Sequence, residues 1–337
     1  MIHTFELKLK TRYPTILLLQ DVLGDEFINT LSSQQNWHLT NPLQLPGIRK
    51  INISSLGIGI YYISIEVEPE SLIREELTVD LFDCDPGNVK VLKNTLNDTL
   101  LTFHERFPIL NDGWYLSRID YARQIETPLT SLYVDLAQRA KIPYHYMNKV
   151  GKPGSMYLQS NSTRYNFYDK YDYICKQDVS ESIKEQCIDI YRTEIQFRNT
   201  KAIRYLRKKY DAPLLFDLFD SDIAIDIIRN SYQKSIGVED YYRYDRAERV
   251  INTSSLKNKT RSNLISILEF ISESNSYTEA VESLYYSDLV PSAYRDNLSK
   301  FKRHIKRLKE LGINPILLPN DFEIEVLPNP YKELLTI

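Results

Sequence analysis

Cysteine is scarce. Cys84, Cys175 and Cys187 are too few and too scattered for a disulfide framework, and they lack zinc-ligand spacing. No apolar run comes near the ~20 residues that a membrane span needs. The opening, Met1 to Lys8, has no basic-then-apolar signal-peptide layout. An overall basic charge is also missing: 42 Lys+Arg against 45 Asp+Glu leave −3, which excludes a protein basic throughout but not one with a basic face. No repeat or low-complexity tract stands out. The rest is ordinary globular composition over 337 residues, enough for one large or two unequal domains. A cytoplasmic protein with no metal cluster is expected. Tyrosine alone is unusual, with 25 residues against 12 Phe, so most tyrosines must be packing residues.

Periodicity predicts an α+β fold. Phe5, Leu7 and Leu9 alternate with polar residues as in a first strand. Residues 58–67 read as a second, ended by Pro69. Asp85-Pro86 opens a helix with Asp as N-cap, and Val89, Leu92, Leu96, Leu100, Phe103 and Phe107 form its buried face. Residues 114–121 read as a strand, and Thr127-Pro128 as the start of a helix carrying Leu129, Leu132, Leu136 and Ala140. Turn chemistry at Asn161-Ser162-Thr163 joins 156–158 and 164–168 as a hairpin, and 191–198 is a last strand. The order suggests a mostly antiparallel sheet with helices on one face. From Leu206 the pattern is helical. Residues 251–260 form a polar linker, followed by helices near 262–275, 277–287 and 292–311, a Gly312 cap, and strand-like pieces at 315–318 and 322–327. Three helices and a small hairpin make winged-helix geometry. The expected division is 1–212, a connector over 213–260, and a winged helix over 261–337.

Three strand segments carry polar groups where core is expected: Arg118-Ile119-Asp120, Tyr168-Asp169-Lys170 and Arg192-Thr193-Glu194. Alternation sets Asp120 beside Arg118 and Glu194 beside Arg192. Either these are surface ion pairs, or the carboxylates converge on one face and hold a hard divalent cation. Tyr168 is a candidate nucleophile, with Lys170 on the same side of the strand.

Ser117-Arg118-Ile119-Asp120, Asn166-Phe167-Tyr168-Asp169-Lys170 and Arg192-Thr193-Glu194-Ile195-Gln196-Phe197-Arg198, in this order, resemble rolling-circle replication initiators of the filamentous-phage gene II type. The initiators of small staphylococcal plasmids are more distantly similar. Residues 201–206 and 212–217 extend the likeness, which covers roughly 1–230. The resemblance implies a nickase-like domain in which Tyr168 cleaves one DNA strand and stays joined to its 5′ phosphate, with Lys170 as cationic neighbour. It implies Asp120 and Glu194 as ligands of Mg²⁺ or Mn²⁺. Two departures stand out. Where the plasmid initiators have a second Asp, this chain has Gln124, and none of His3, His38, His104, His145 and His304 makes a His-hydrophobe-His motif. Tyr157, Tyr165, Tyr171 and Tyr173 compete with Tyr168 for the nucleophilic role.

Two basic runs point to a DNA partner. Residues 192–210 hold Arg192, Arg198, Lys201, Arg204, Arg207, Lys208 and Lys209 against Glu194; 295–310 hold Arg295, Lys300, Lys302, Arg303, Lys306, Arg307 and Lys309 against Asp296 and Glu310. Arg118, Arg192, Arg198, Lys201, Arg204, Lys302, Arg303, Lys306 and Arg307 are the expected DNA contacts, with Tyr165 and Tyr121 stacking on bases. The expected function is nicking and rejoining of single-stranded origin DNA, with the winged helix on double-stranded origin. A host helicase and a second copy of the chain are further expected partners. The alternatives are a relaxase for mobilisation, a non-enzymatic winged-helix regulator, and a structural protein.

Overall fold

The computed structural model describes residues 1–24, 27, 30, 36–40, 45–143, 146, 148–285, 290–292, 294–295 and 297–335. His145 and Asp296 lie outside the described residues. Nine strands form one sheet: β1 Ile2–Arg12, β2 Asn36–Thr40, β3 Ile48–Gly57, β4 Ile60–Val67, β5 Tyr115–Glu126, β6 Asn148–Lys152, β7 Ser155–Gln159, β8 Thr163–Asp169 and β9 Ile190–Phe197. Their order is β2-β3-β4-β1-β5-β9-β8-β7-β6, and every pairing is antiparallel.

Alternation divides the sheet into two unlike faces. Phe5, Ile65, Ile119, Tyr121, Tyr165, Phe167 and Ile195 are buried on one side. Helices Thr200–Tyr210 and Ser221–Ser235 follow β9 and cover this side. Contacts mark the packing: Phe5 meets Phe219 at 5.0 Å, Phe167 meets Tyr232 at 6.1 Å, and the Tyr121 hydroxyl donates to the Leu218 carbonyl at 2.9 Å. The other side carries Thr4, Glu66, Arg118, Asp120, Asn166, Tyr168, Glu194 and Gln196, all of which line one cavity. The expected antiparallel α+β architecture is therefore present.

Local chemistry explains the flanking elements. Asp85 caps helix Pro86–Phe103 by accepting from the Gly87 amide at 2.8 Å, a contact worth about 1 kcal/mol. Phe107 lies beyond that helix but packs edge-on against Phe103 at 5.5 Å. The helix expected at Thr127-Pro128 starts at Thr130. Ile58 and Gly59, both at positive φ, form the turn between β3 and β4, so the strand expected from 58 begins at 60.

The C-terminal part departs from expectation. Residues 251–260 are no open linker: helix Tyr244–Thr253 ends there and helix Asn258–Glu273 begins. Helices Tyr277–Ser283 and Leu298–Glu310 follow, with Gly312 at φ 77° as the expected stop. The pieces 315–318 and 322–327 do not form a hairpin with each other. Val326–Leu327 pairs with Tyr241–Tyr242, and the Leu318 amide donates to the Tyr242 carbonyl at 2.9 Å. The strand partner comes from before the helices, which local sequence patterns cannot reveal. No helix among the described residues is long and apolar enough to cross a membrane.

Candidate active site

A cavity of about 320 Å³ opens on the polar face of the sheet. Strands β8 and β9 pair Asn166 with Glu194, and β1 and β5 pair Thr4 with Asp120. Residues distant in sequence thus converge on its walls. The Tyr168 hydroxyl donates to Glu194 Oε2 at 3.1 Å. His3 Nδ1 meets the same oxygen at 2.8 Å, and its Nε2 lies 3.5 Å from Glu68 Oε1. Gln196 and Asn166 donate to Glu194 Oε1 at 2.6 and 3.5 Å. Asp120 is fully buried and held by a fork: Arg118 Nε donates to Oδ1 at 3.0 Å and Nη2 to Oδ2 at 2.6 Å. The Thr4 hydroxyl also donates to Oδ2, at 2.5 Å.

The two carboxylates are electrostatically unlike. Burial raises both, but His3 and the amide of Gln196 outweigh it at Glu194, which stays well below the usual carboxylate range. Asp120 is pushed up to about 6 by burial and by the charge of Glu194, against the pull of Arg118. Tyr168 is raised well above its ordinary value, first by burial and then by Glu194. Its hydroxyl is therefore a proton donor with a fixed carboxylate acceptor.

Tyr168, Asp120, Glu194 and the expected DNA contact Arg118 all line this one cavity. Lys170 does not share the strand: β8 ends at Asp169, and Lys170 opens helix Lys170–Ile174, capped by the Asp169 carboxylate. Its ammonium is buried, sits 5.5 Å over the Tyr173 ring, and is depressed to about 8 by burial and by Arg192. Arg192 departs from the expected DNA contact. It is 1% exposed and donates to Gln124 and to the Val79 carbonyl. Gln124 thus has a structural partner at the position of the missing Asp. Tyr121 and Tyr165 are both 0% exposed on the helical face and do not reach bases. Among the competing tyrosines, Tyr157 and Tyr173 line the cavity. Tyr171 is exposed. Arg198, Lys201, Arg204, Lys302, Arg303, Lys306 and Arg307 are all exposed.

Sequence reasoning missed His3, Glu66 and Glu68. The β1–β5 register shifts between Ile2 and Thr4, and this irregularity lets consecutive His3 and Thr4 both line the cavity. A histidine in an alternating strand was the only available signal. Glu66 takes Arg118 Nη1 at 3.4 Å from the next strand but one.

A divalent ion does not fit these residues as they stand. Each oxygen of Asp120 and Glu194 already accepts a hydrogen bond, and Arg118 occupies the approach to Asp120. Among the described residues no group of three or more His, Cys, Asp or Glu is arranged to hold a metal ion. Neither protein-family profiles nor curated protein sequences match this chain.

Proposed function

We propose that the protein nicks and rejoins single-stranded DNA through Tyr168. The observation that carries this reading is the Tyr168–Glu194 hydrogen bond inside a cavity whose wall also holds Arg118. In the proposed step the Tyr168 oxygen attacks a backbone phosphorus, and its proton passes to Glu194. The bond from phosphorus to the 3′ oxygen breaks, and the leaving oxygen takes a proton from solvent, giving a 3′ hydroxyl and a 5′-phosphotyrosine. Reversal by a 3′ hydroxyl rejoins the strand without ATP, because the phosphotyrosine ester conserves the bond. Arg118, Arg49 and Arg164 line the cavity and supply its fixed positive charge, and no step is routed through a metal. Exposed Arg198, Lys201 and Arg204, at and beyond the end of β9, supply backbone contacts in this reading. Exposed Arg303 and Arg307 on helix Leu298–Glu310 would meet double-stranded origin DNA in this reading, without the paired wing that the sequence pattern suggested. Replication initiation in the cytoplasm follows from the motif resemblance; mobilisation uses the same chemistry.

The test is incubation with single-stranded oligonucleotides, with and without Mg²⁺ or Mn²⁺, followed by mass-spectrometric mapping of any covalent adduct. An adduct on Tyr168 is the expected result. An adduct on Tyr157 or Tyr173 would move the nucleophile, and DNA binding without any adduct would favour the regulator.

A further inference from the structure

We propose that a second cavity, on the helical side of the sheet, binds a free nucleoside triphosphate. It measures about 690 Å³, within the usual range for small-molecule sites, and shares no lining residue with the Tyr168 cavity. Its walls are apolar, built from Ile142, Pro143, Ile236, Ile305 and Ile316. Its other lining is unusual: Lys141, Lys234, Lys302, Lys306 and Lys309 all border it.

Helix geometry sets this up. Positions 302, 306 and 309 follow i, i+4, i+7 spacing along one side of helix Leu298–Glu310, beside buried Ile305. Arg303 and Arg307 occupy the neighbouring row. The five lysines are only partly neutralised. Lys309 meets Glu239 at 3.4 Å and Lys306 meets Glu310 at 3.9 Å. Among the described residues no carboxylate lies within 4.0 Å of Lys141, Lys234 or Lys302. Burial and the charges of Lys302 and Lys309 depress the Lys141 ammonium, so these groups repel one another across the opening.

Three unpaired ammonium groups suit a polyanion better than a single carboxylate, which would leave the others uncompensated. Lysine serves phosphate well as a compact point charge. The apolar walls suit the base and sugar, and a half-open cavity of this size suits one nucleotide. The inference redirects Lys302 and Lys306 from DNA to this cavity and does not depend on the nicking reading.

The full chain is titrated with ATP by calorimetry and with a fluorescent ATP analogue. Saturable ATP binding is expected. Lys141→Glu and Lys302→Glu, both at exposed positions, should each weaken it about tenfold or more with unchanged circular dichroism. Inorganic tripolyphosphate should bind more weakly than ATP. No binding up to about 1 mM ATP would overturn the proposal. So would unchanged affinity in both variants, or tripolyphosphate binding as tightly as ATP. Binding of a single-stranded oligonucleotide with no binding of ATP would assign the lysines to nucleic acid and overturn it equally.

Discussion

The hydroxyl of Tyr168 and the carboxylate of Glu194 meet at 3.1 Å across adjacent antiparallel strands, on the open face of the sheet. The bond joins a weakly acidic phenol to a carboxylate that His3 keeps ionised. It holds the tyrosine and offers an acceptor for its proton.

Tyr168→Phe therefore separates chemistry from folding. Glu194 keeps His3 and Gln196, so the loss of stability should be about 1 kcal/mol, read from denaturant unfolding. The covalent adduct should vanish while oligonucleotide affinity persists. An adduct that survives would show that Tyr168 is not the nucleophile.

Arg118 and Asp120 should behave as a unit. Arg118→Met leaves a fully buried carboxylate without its fork and is expected to cost about 3 kcal/mol. Adding Asp120→Asn should recover much of that loss, as measured by a double-mutant cycle. Arg118 also blocks a cation from Asp120. Mn²⁺ should thus bind Arg118→Met at least about tenfold more tightly than the parent; equal affinities would mean that an ion does not use Asp120.

Glu68 makes the fold acid-sensitive. Burial raises its carboxyl, but the hydrogen bond and charge of His3, with Arg49, bring it down from 4.5 to about 2. A depressed acid stabilises the fold above its unfolded pKa and loses that contribution as pH falls. The window is from 4.5 down toward 2, and the effect is at most about 3 kcal/mol. Unfolding free energies at neutral pH and in this window should fall less steeply for Glu68→Gln than for the parent. Parallel pH profiles would refute the coupling.

Exposed Lys201 and Arg204 lie on helix Thr200–Tyr210, whose Asn199 cap accepts from the Ala202 amide at 3.0 Å. If they contact backbone phosphates, Lys201→Ala and Arg204→Ala should each reduce the salt slope of single-strand binding by about 0.7. An unaltered slope would place DNA elsewhere on the molecule.

Strand alternation made β1, β5, the β7–β8 hairpin and β9 legible, and the Asp85-Pro86 pair marked its helix. The edge strands β2 and β6 escaped, because Asn36–Thr40 and Asn148–Lys152 are short and largely polar and owe their pairing to neighbours. β3 escaped although Ile51 and Ile53 alternate within it.

The amino-acid order alone established that Arg118 and Asp120, and Arg192 and Glu194, share a side of their own strands, since a two-residue period is a local property. It did not establish which side stays open. That choice was made by the helices that bury Tyr121 and Tyr165, by the neighbours that enclose Arg192 and Lys170, and by the register shift that brings in His3. Pairing between distant strands and the packing of one face depend on contacts far apart in sequence, and only the folded chain brings these together.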